Sequence, residues 1–157
     1  MSTEAETPGV KVVGTNRRAY FDYHVDESIE CGIRLVGTEV KSIKKGTFNF
    51  SDSYARIKDD GVWLIGLHVT PYDHASIENH DPDRDRRLLL HKQEIKRPRR
   101  KVDEKGFTLI PLKFYLKRGF VKVDLGICKG KKQFDKRAAI KDRDLKREAQ
   151  REIRGRF

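Results

Sequence analysis

The sequence has few cysteines and no long apolar run. Its two cysteines in 157 residues, Cys31 and Cys128, lie far apart and have no metal-like spacing around them, so we expect buried thiols. No apolar stretch reaches the roughly 20 residues that a membrane helix needs. The N-terminus, MSTEAETPGV, lacks the basic and apolar regions of a signal peptide. The sequence therefore predicts a cytoplasmic protein.

Motifs that mark an enzyme are also scarce. No glycine-rich phosphate loop is present, and none of the five histidines pairs with another at the short spacing of a zinc protease. The run DPDRD at Asp81–Asp85 would need glycine in place of Arg86 and a carboxylate in place of Lys92 to form a calcium loop. We expect no metal, no cofactor and no catalysis. A nuclease with dispersed acidic residues is the weakest alternative.

Positive charge is in excess and is unevenly distributed. The formal net charge is +11, which favours nucleic acid, or less often an anionic membrane, as the partner. Residues 1–83 carry a net charge of −5, whereas residues 84–101 and residues 129–157 carry +7 each. The two basic blocks predict two separate contacts with anionic partners, one on the folded body and one on the tail.

The C-terminal block has too few apolar residues to fold alone. Lys129–Phe157 contains 12 lysines or arginines, and its apolar residues form a narrow stripe at helical spacing, at Phe134, Ala138, Leu145, Ala149 and Ile153. Burial of so small a stripe does not offset the entropy lost on ordering, so we expect a tail that is disordered when free and helical when docked. The alternative is a solvated helix or a tail that only adds solubility.

The length indicates one domain with appendages. We expect a flexible N-terminus at 1–15, a body at 16–130 and the tail at 131–157. Imperfect alternation predicts a strand within Tyr20–Val36. A helix capped by Thr38 should then run to about Lys45 and end at Gly46.

The rest of the body reads mainly as strands. A hairpin is predicted around Asp60 and Gly61, and a second one, FTLIPLKFYLK and FVKVDLGICK, turns at Arg118 and Gly119. Pro111 predicts an edge or a bulge in the second hairpin. Between the two hairpins we expect a long loop at 70–87 and a helix that begins near residue 88 and is limited by a proline. Five or six strands of this kind fit a mainly β fold, a small closed antiparallel barrel of the oligonucleotide-binding type with two or three short helices.

Several runs of residues, in order, resemble one family. GTEVKSIKKG, DSYARI, HVTPY, HDPDRDRRLLLHKQEI, GFTLIPLKFYLK and KGKKQFDKR are similar to the bacterial tmRNA-binding proteins, also called SsrA-binding proteins or small protein B, from Asn16 to about Arg147. The resemblance implies trans-translation, in which the protein binds the tRNA-like part of tmRNA and delivers it to stalled ribosomes. The implied partners are tmRNA, the 30S subunit and the 70S ribosome, and indirectly alanyl-tRNA synthetase and elongation factor Tu.

The resemblance also implies an RNA-binding face on the body, formed by Glu30, Leu89 and His91. A carboxylate can accept hydrogen bonds from guanine edges or 2′-hydroxyls, and an exposed leucine can pack on a splayed base. Without the resemblance, Leu89 would be read as core and Glu30 as an ordinary surface acid. Charge alone adds four expected phosphate contacts, at Arg84, Arg86, Arg87 and Lys92.

In the tail, the family pattern GKK followed by DKR is matched, and the resemblance implies that this segment lies in the ribosomal decoding site. Phe134 stands where such proteins often have histidine or tyrosine; it can stack on a base but supplies no hydrogen bond or charge. The tail residues expected there are Lys129, Lys131, Lys132, Phe134, Asp135, Lys136, Arg137, Lys141 and Arg143. Two alternatives remain: a general single-strand binder or ribosomal protein of the same fold class, and a membrane- or RNA-associated enzyme.

Overall fold

The computed structural model describes residues 9–73 and 79–155, apart from the side chains of residues 133–135 and 152–155. Its strands are β1 (Val10–Thr15), β2 (Tyr23–Ile33), β3 (Phe48–Asn49), β4 (Tyr54–Lys58), β5 (Gly61–Ile65), β6 (His68–Val69), β7 (Arg86–Leu89), β8 (Thr108–Lys117) and β9 (Phe120–Gly130). Its helices are α1 (Arg17–Asp22), α2 (Gly37–Lys45), α3 (Lys92–Lys105) and α4 (Gln133–Gly155).

Seven antiparallel strands form one sheet that closes on itself. The strand order is β1-β8-β4-β5-β7-β2-β9, and β9 also pairs with β8, so that six strands make a ring and β1 extends β8 beyond its contact with β4. Strands β3 and β6 form a separate pair. This confirms the predicted fold class, a mainly β closed antiparallel barrel. The described strands outnumber the expected five or six because several are too short to show an alternating pattern.

Alternation along the strands places one set of side chains inside the barrel. The main core contains buried aliphatic residues from every strand of the ring and a cluster of Phe48, Phe50 and Phe114, whose rings lie 5.1 to 5.3 Å apart. Both cysteines are buried and free, as expected. Burial raises the pKa of Cys31 to about 12 and that of Cys128 to about 11, so neither thiol ionises at neutral pH.

Several local predictions are confirmed. The β8–β9 hairpin turns at Arg118 and Gly119, which both have positive φ, 53° and 82°, as a two-residue type I′ turn requires. The pairing of β8 with β9 shifts register between Pro111 and Lys113, which is the bulge that the proline predicts. Helix α2 ends at Gly46 in the left-handed conformation.

Other local predictions are wrong at the N-terminal side of the body. The first part of the predicted strand is α1, which begins where the Asn16 side chain accepts a hydrogen bond from the Ala19 amide at 3.2 Å. The N-terminus is not loose up to residue 15, because β1 begins at Val10 and pairs with β8. Val36, not Thr38, is the residue that precedes α2, and Glu39 accepts a hydrogen bond from its amide.

The stretch between the two hairpins also differs from its prediction. Residues 86–89 form strand β7 rather than the start of a helix, and α3 continues through Pro98 to Lys105. Pro98 cannot donate to the carbonyl of Glu94, but its ring is buried, which offsets part of that loss. In the first hairpin, residues 59–60 form the turn, and Gly61 already belongs to β5.

Helix α4 contacts the barrel near its first turn. The amide of Lys131 donates to the carbonyl of Asp22 at 2.8 Å, and the Lys136 ammonium lies 3.4 Å from the Asp22 carboxylate. Beyond Lys136 the described side chains are exposed, apart from half-buried Ala139. The predicted helical period is confirmed. No helix in residues 9–73 and 79–155 is long and apolar enough to cross a membrane.

Because α4 buries so little apolar surface, the disorder of the free tail stays a prediction. An isolated helix with a polar surface gains too little from burial to be stable in water. We expect the amides of residues 137–151 to exchange at nearly the rate of an unstructured peptide in the RNA-free protein. Hydrogen exchange followed by mass spectrometry measures this rate. Strong protection across the segment would contradict the prediction, with the β8–β9 hairpin as the protected internal control.

Candidate nucleic-acid interface

One row of paired residues crosses the outer side of the barrel. Leu89 in β7 is opposite Gly32 in β2, Gly32 is opposite Lys122 in β9, Lys122 is opposite Tyr115 in β8, and Tyr115 is opposite Val12 in β1. Residues that are paired across strands point to the same side of a sheet. We call this surface, with Glu30 and Lys117, the outer face.

Leu89 is exposed because its strand faces two environments. Arg86 and Leu88 point into the core, whereas Arg87 and Leu89 point outward, and 53% of Leu89 is accessible to solvent. Opposite Leu89 the row has a glycine, and a Cβ atom built there would lie 3.1 Å from the Leu89 Cβ. The leucine side chain thus lies over Gly32 and forms an apolar platform on a polar surface.

Glu30 is held in one orientation beside this row. The Tyr115 hydroxyl donates to one carboxylate oxygen, and the Lys117 ammonium lies 3.3 and 3.4 Å from the two oxygens. The hydrogen bond from Tyr115, with the charge of Lys117, lowers the pKa of Glu30 below its usual value. Burial and the hydrogen bond to Glu30 raise the pKa of Tyr115. Glu30 is therefore an ionised, preoriented acceptor with part of its carboxylate open to solvent.

A cleft of about 790 Å³ lies between β2, β7 and the start of α3. Leu89, His91 and Gly32 line it, together with seven cationic residues, Arg34, Lys58, Arg87, Lys92, Lys96, Arg99 and Lys122. Only two acidic residues, Asp59 and Asp60, line the same cleft. Such a concentration of positive charge around an exposed apolar side chain suits a polyanion that also offers flat apolar groups, which is the chemistry of RNA with unpaired bases.

Besides Leu89, three of the predicted body residues lie at this cleft. Arg87 donates to the carbonyl of Asp60 at 2.6 Å and keeps the rest of its guanidinium at the surface. His91 directly precedes α3, with its side chain 94% exposed, and Lys92 is the first residue of that helix. All three are within the cleft lining.

Arg86 is different, and the prediction that it contacts phosphate is wrong. Its side chain is completely buried, where it forms an ion pair with Glu39 and donates to the carbonyl of Leu67 at 2.8 Å and to that of Pro82 at 3.1 Å. A phosphate could not reach it without opening the core. Arg84 also pairs with Glu39, and its side chain is one-third exposed. The Glu39 carboxylate therefore already neutralises much of the charge that Arg84 could offer to a phosphate.

Metal ligands do not cluster in the part of the chain that the structure describes. No group of three or more histidine, cysteine, aspartate or glutamate side chains there could hold an ion. The groups that the outer face does offer a partner are positive charges, a hydrogen-bond acceptor and an apolar side chain.

Comparison with known proteins decides the family. A family model described as SmpB protein matches residues 13–155. The SsrA-binding protein of Treponema denticola is 58% identical over 149 residues, which are 95% of this chain and 96% of that protein. The SsrA-binding protein of Desulfitobacterium hafniense is 53% identical over 93% of this chain and 94% of its own length. The chain belongs to the SmpB family.

A solved structure supports the same assignment. It was presented as "tmRNA-SmpB: a journey to the center of the bacterial ribosome", and it matches with a TM-score of 0.65 and 46% sequence identity over 81% of this chain and 93% of its own. The resemblance inferred from the short sequence runs is thus confirmed over nearly the whole chain.

The structure separates the predicted tail residues of this SmpB family member into two groups. Lys129 belongs to β9, and its ammonium lies 5.7 Å from the centre of the Phe107 ring, so it is part of the barrel. The Lys131 amide and the Lys136 ammonium both contact Asp22, near the first turn of α4. The exposed members are Lys132, Arg137, Lys141 and Arg143. The side chains of Phe134 and Asp135 lie outside the described residues.

Lys122 and Tyr115 are among the residues of the outer face that sequence reasoning missed. Lys122 lines the cleft and lies opposite Gly32, and Tyr115 orients Glu30. Tyr115 lies in the run GFTLIPLKFYLK, but nothing in that run singles it out, and Lys122 lies in none of the runs that resemble the family. The signal was available in the alternation of β9, where Val121 and Val123 point inward and Lys122 must point out, but its neighbours follow only from strand order.

Proposed function

We propose that the outer face binds the tRNA-like part of tmRNA, and that the chain brings this RNA to stalled ribosomes for trans-translation. The observation that carries the proposal is the joining of a preoriented carboxylate, an exposed leucine and a strongly cationic cleft on one face. Membership of the SmpB family supports it. The chain acts as an adaptor without catalysis, and its partners are tmRNA and the ribosome, with alanyl-tRNA synthetase and elongation factor Tu engaged through the RNA.

The cations, the leucine and the carboxylate would each make a different kind of contact with the RNA. Cations around the cleft, among them Arg87 and Lys92, would contact phosphates and supply most of the affinity in a salt-sensitive way. Leu89 would pack on an unstacked base, which exists in the loops of a tRNA-like fold and not in a regular duplex. Glu30 would accept a hydrogen bond from a base edge or a 2′-hydroxyl and thereby add specificity.

Helix α4 would serve a second partner. Its contacts with the barrel lie at Asp22, and its described cationic side chains beyond Lys136 face solvent. A basic segment attached at one end can enter an RNA-lined site while the barrel holds another RNA, because the attachment keeps its effective concentration high. We propose that this site is the vacant decoding site of the small subunit.

RNA capture tests the proposal as a whole. The full chain would be purified from cells under mild conditions, and the bound RNA would be sequenced. One dominant structured RNA of the tmRNA class is the expected result. Ribosomal RNA alone would indicate a ribosomal protein or general RNA binder of the same fold, and degradation of RNA by the pure protein would indicate an enzyme.

Replacement of Glu30 should separate directed contacts from phosphate contacts. Glu30→Ala should weaken binding of the tRNA-like RNA by roughly 10- to 100-fold, because a hydrogen bond to a charged group contributes about 1.5–3 kcal/mol. Lys92→Ala should weaken binding to any structured RNA and should flatten the plot of log affinity against log salt by about 0.7 to 0.9. Filter binding at several salt concentrations measures both quantities.

Glu27→Ala is the matched control for Glu30→Ala. Glu27 lies on the same strand and is also paired with cations, Arg97 and Lys101, but it is outside the outer face. Each of the two substitutions removes one negative charge from a basic protein, so non-specific attraction should rise slightly in both. Equal affinities of the Glu30 and Glu27 variants for the tRNA-like RNA would remove Glu30 from the recognition surface.

A further inference from the structure

Phe120 is exposed on the barrel without a role in its core. Solvent reaches 70% of its surface, the largest value for a large hydrophobic residue in the part of the chain that the structure describes. It is the first residue of β9, directly after the two turn residues Arg118 and Gly119. The turn depends on the backbone conformation of those two residues, so folding of the hairpin does not require an aromatic side chain at position 120.

Phe120 lies on the outer face. In β9, Val121 and Val123 point into the core, and Phe120 and Lys122 therefore point outward. Its partner across the hairpin is Lys117, whose ammonium lies next to the Glu30 carboxylate. On this face the pair of Phe120 and Lys117 is thus the next one after the pair of Lys122 and Tyr115, with the inward-pointing pair of Val121 and Leu116 between them.

The surroundings of the ring are cationic. The hairpin tip reads KRGFVK from Lys117 to Lys122, with three positive side chains and no acid. Lys117 lies next to the Glu30 carboxylate and partly neutralises it. An exposed aromatic ring between positive charges is the arrangement by which proteins stack a single-stranded base and hold its phosphates.

We infer that Phe120 is a stacking platform for one unpaired base of the bound RNA, with Lys117 and Arg118 on the flanking phosphates. The inference rests on the proposed function and adds a second apolar contact to that of Leu89. Leu89 lies two strands across from Lys122, and Phe120 lies two residues along β9 from it, so an RNA on this face would meet two separate base platforms. Such an arrangement selects RNA with two splayed segments over a regular duplex.

Charge favours RNA over a second copy of the chain as the occupant. Two copies that met through this hairpin would bring their own Lys117, Arg118 and Lys122 together, and like charges repel. A negatively charged partner with flat apolar groups satisfies both the ring and the cations. Self-association through Phe120 is therefore an outcome against the inference.

Substitution at position 120 tests the inference in the full chain, with a transcribed tRNA-like domain of tmRNA as the probe. Phe120→Leu keeps an apolar side chain but removes the ring, and we expect it to weaken binding about tenfold, the order of one base stack. Phe120→Tyr keeps the ring and should bind within about twofold of the parent. The salt slope should not change in either variant, because no charge is removed.

Tyr54→Leu is the matched control. Tyr54 is an exposed aromatic residue, at 40%, and it adjoins Ala55, which pairs with Leu109 near the opposite end of β8 from Lys117. The distance along that strand is about 25 to 30 Å at ~3.4 Å per residue. We expect this variant to bind as the parent does. An equal loss in the Tyr54 and Phe120 variants, or no loss in Phe120→Leu, would overturn the inference.

A direct readout distinguishes stacking from an indirect effect. 2-Aminopurine would replace the unpaired bases of the probe one at a time, and its fluorescence should be quenched at one position by the parent and not by Phe120→Leu. Absence of any Phe120-dependent quenching would overturn the stacking contact. Sedimentation of the RNA-free parent should show a monomer, and a dimer that Phe120→Leu dissociates would assign the residue to self-association instead.

Failure of the proposed function has a separate signature. The parent would then bind the tRNA-like RNA no better than a plain RNA duplex of equal length. In that case both the proposed function and the inference about Phe120 would be wrong. If the parent prefers the tRNA-like RNA and Phe120→Leu keeps the same affinity, only the stacking platform is wrong.

Discussion

Truncation after Gly130 is expected to abolish peptide tagging on stalled ribosomes while tmRNA affinity at moderate salt stays within a few fold. The outer face lies entirely on the barrel, from Val12 to Lys122, so its contacts survive the truncation. The removed segment, 131–157, contains all of α4 and most of the GKK and DKR runs. Tagging on purified stalled ribosomes and filter binding of the tRNA-like RNA measure the two activities.

Loss of charge needs a control, because the truncation also removes positive side chains. A full-length chain whose residues 131–157 are shuffled keeps the composition but not the spacing of the GKK and DKR runs. We expect it to bind tmRNA as the parent does and to fail in tagging. A comparable loss of tmRNA affinity and tagging in the truncated chain would contradict the division into two binding sites. Full tagging by the shuffled chain would show that the tail contributes only its charge and length and not the spacing of its residues.

Glu39→Gln is expected to lower the free energy of unfolding by about 3–5 kcal/mol, the usual cost when one partner of a buried ion pair is removed. The Glu39 carboxylate is completely buried between Arg86, which is also buried, and Arg84. Without the carboxylate charge, the Arg86 guanidinium would stay in the core with carbonyl oxygens as its partners. Urea unfolding followed by circular dichroism measures the change.

Glu94→Gln provides a closely matched comparison. Glu94 and Glu39 hold the same place in their helices: each accepts a hydrogen bond from the amide three residues earlier, at 3.1 Å from His91 and 3.0 Å from Val36. Glu94 is exposed and has no buried arginine beside it among the described ion pairs. We expect its loss to cost less than about 1 kcal/mol. Equal costs at the two positions would mean that the buried ion pairs add nothing beyond the helix cap.

Acid should destabilise the protein through the same carboxylate, that of Glu39. Burial raises the pKa of Glu39, but the hydrogen bonds from Arg84, the Val36 amide and Arg86 outweigh burial and leave it below the ordinary value of 4.5. A carboxyl with a lowered folded pKa stabilises the protein fully above its unfolded pKa, and this stabilisation is lost as pH falls through the folded value. As the pH falls below about 4.5, Glu39→Gln should therefore lose less stability than the parent does.

Sequence alone predicted the features that depend on neighbouring residues. The turn at Arg118 and Gly119, the bulge after Pro111 and the end of α2 at Gly46 each follow from the backbone preference of one or two residues. The closed barrel followed from the number of alternating strands. The family followed from several short runs that occur in the same order.

The remaining features depend on contacts between distant residues. Strand β7 has four residues, and a strand whose core side reads arginine then leucine gives no apolar alternation. Arg86 could be placed inside only once Glu39, 47 residues away, was known to lie beside it. The outer face crosses five strands in the order β7-β2-β9-β8-β1, so its members, Lys122 and Phe120 included, become neighbours only through register.

The buried Arg86 also fixes the register of β7. A slip of one residue would send Arg87 and Leu89 into the core and turn Arg86 and Leu88 out to solvent. For leucines alone the exchange would be nearly neutral, since Leu88 and Leu89 are the same residue. Arg86 breaks that degeneracy, because only its own place in the strand meets the carboxylate of Glu39 and the carbonyls of Leu67 and Pro82. The ion pair thus fixes the register of β7, and Leu89, the proposed base contact, owes its outward position to an arginine that lies inside the core.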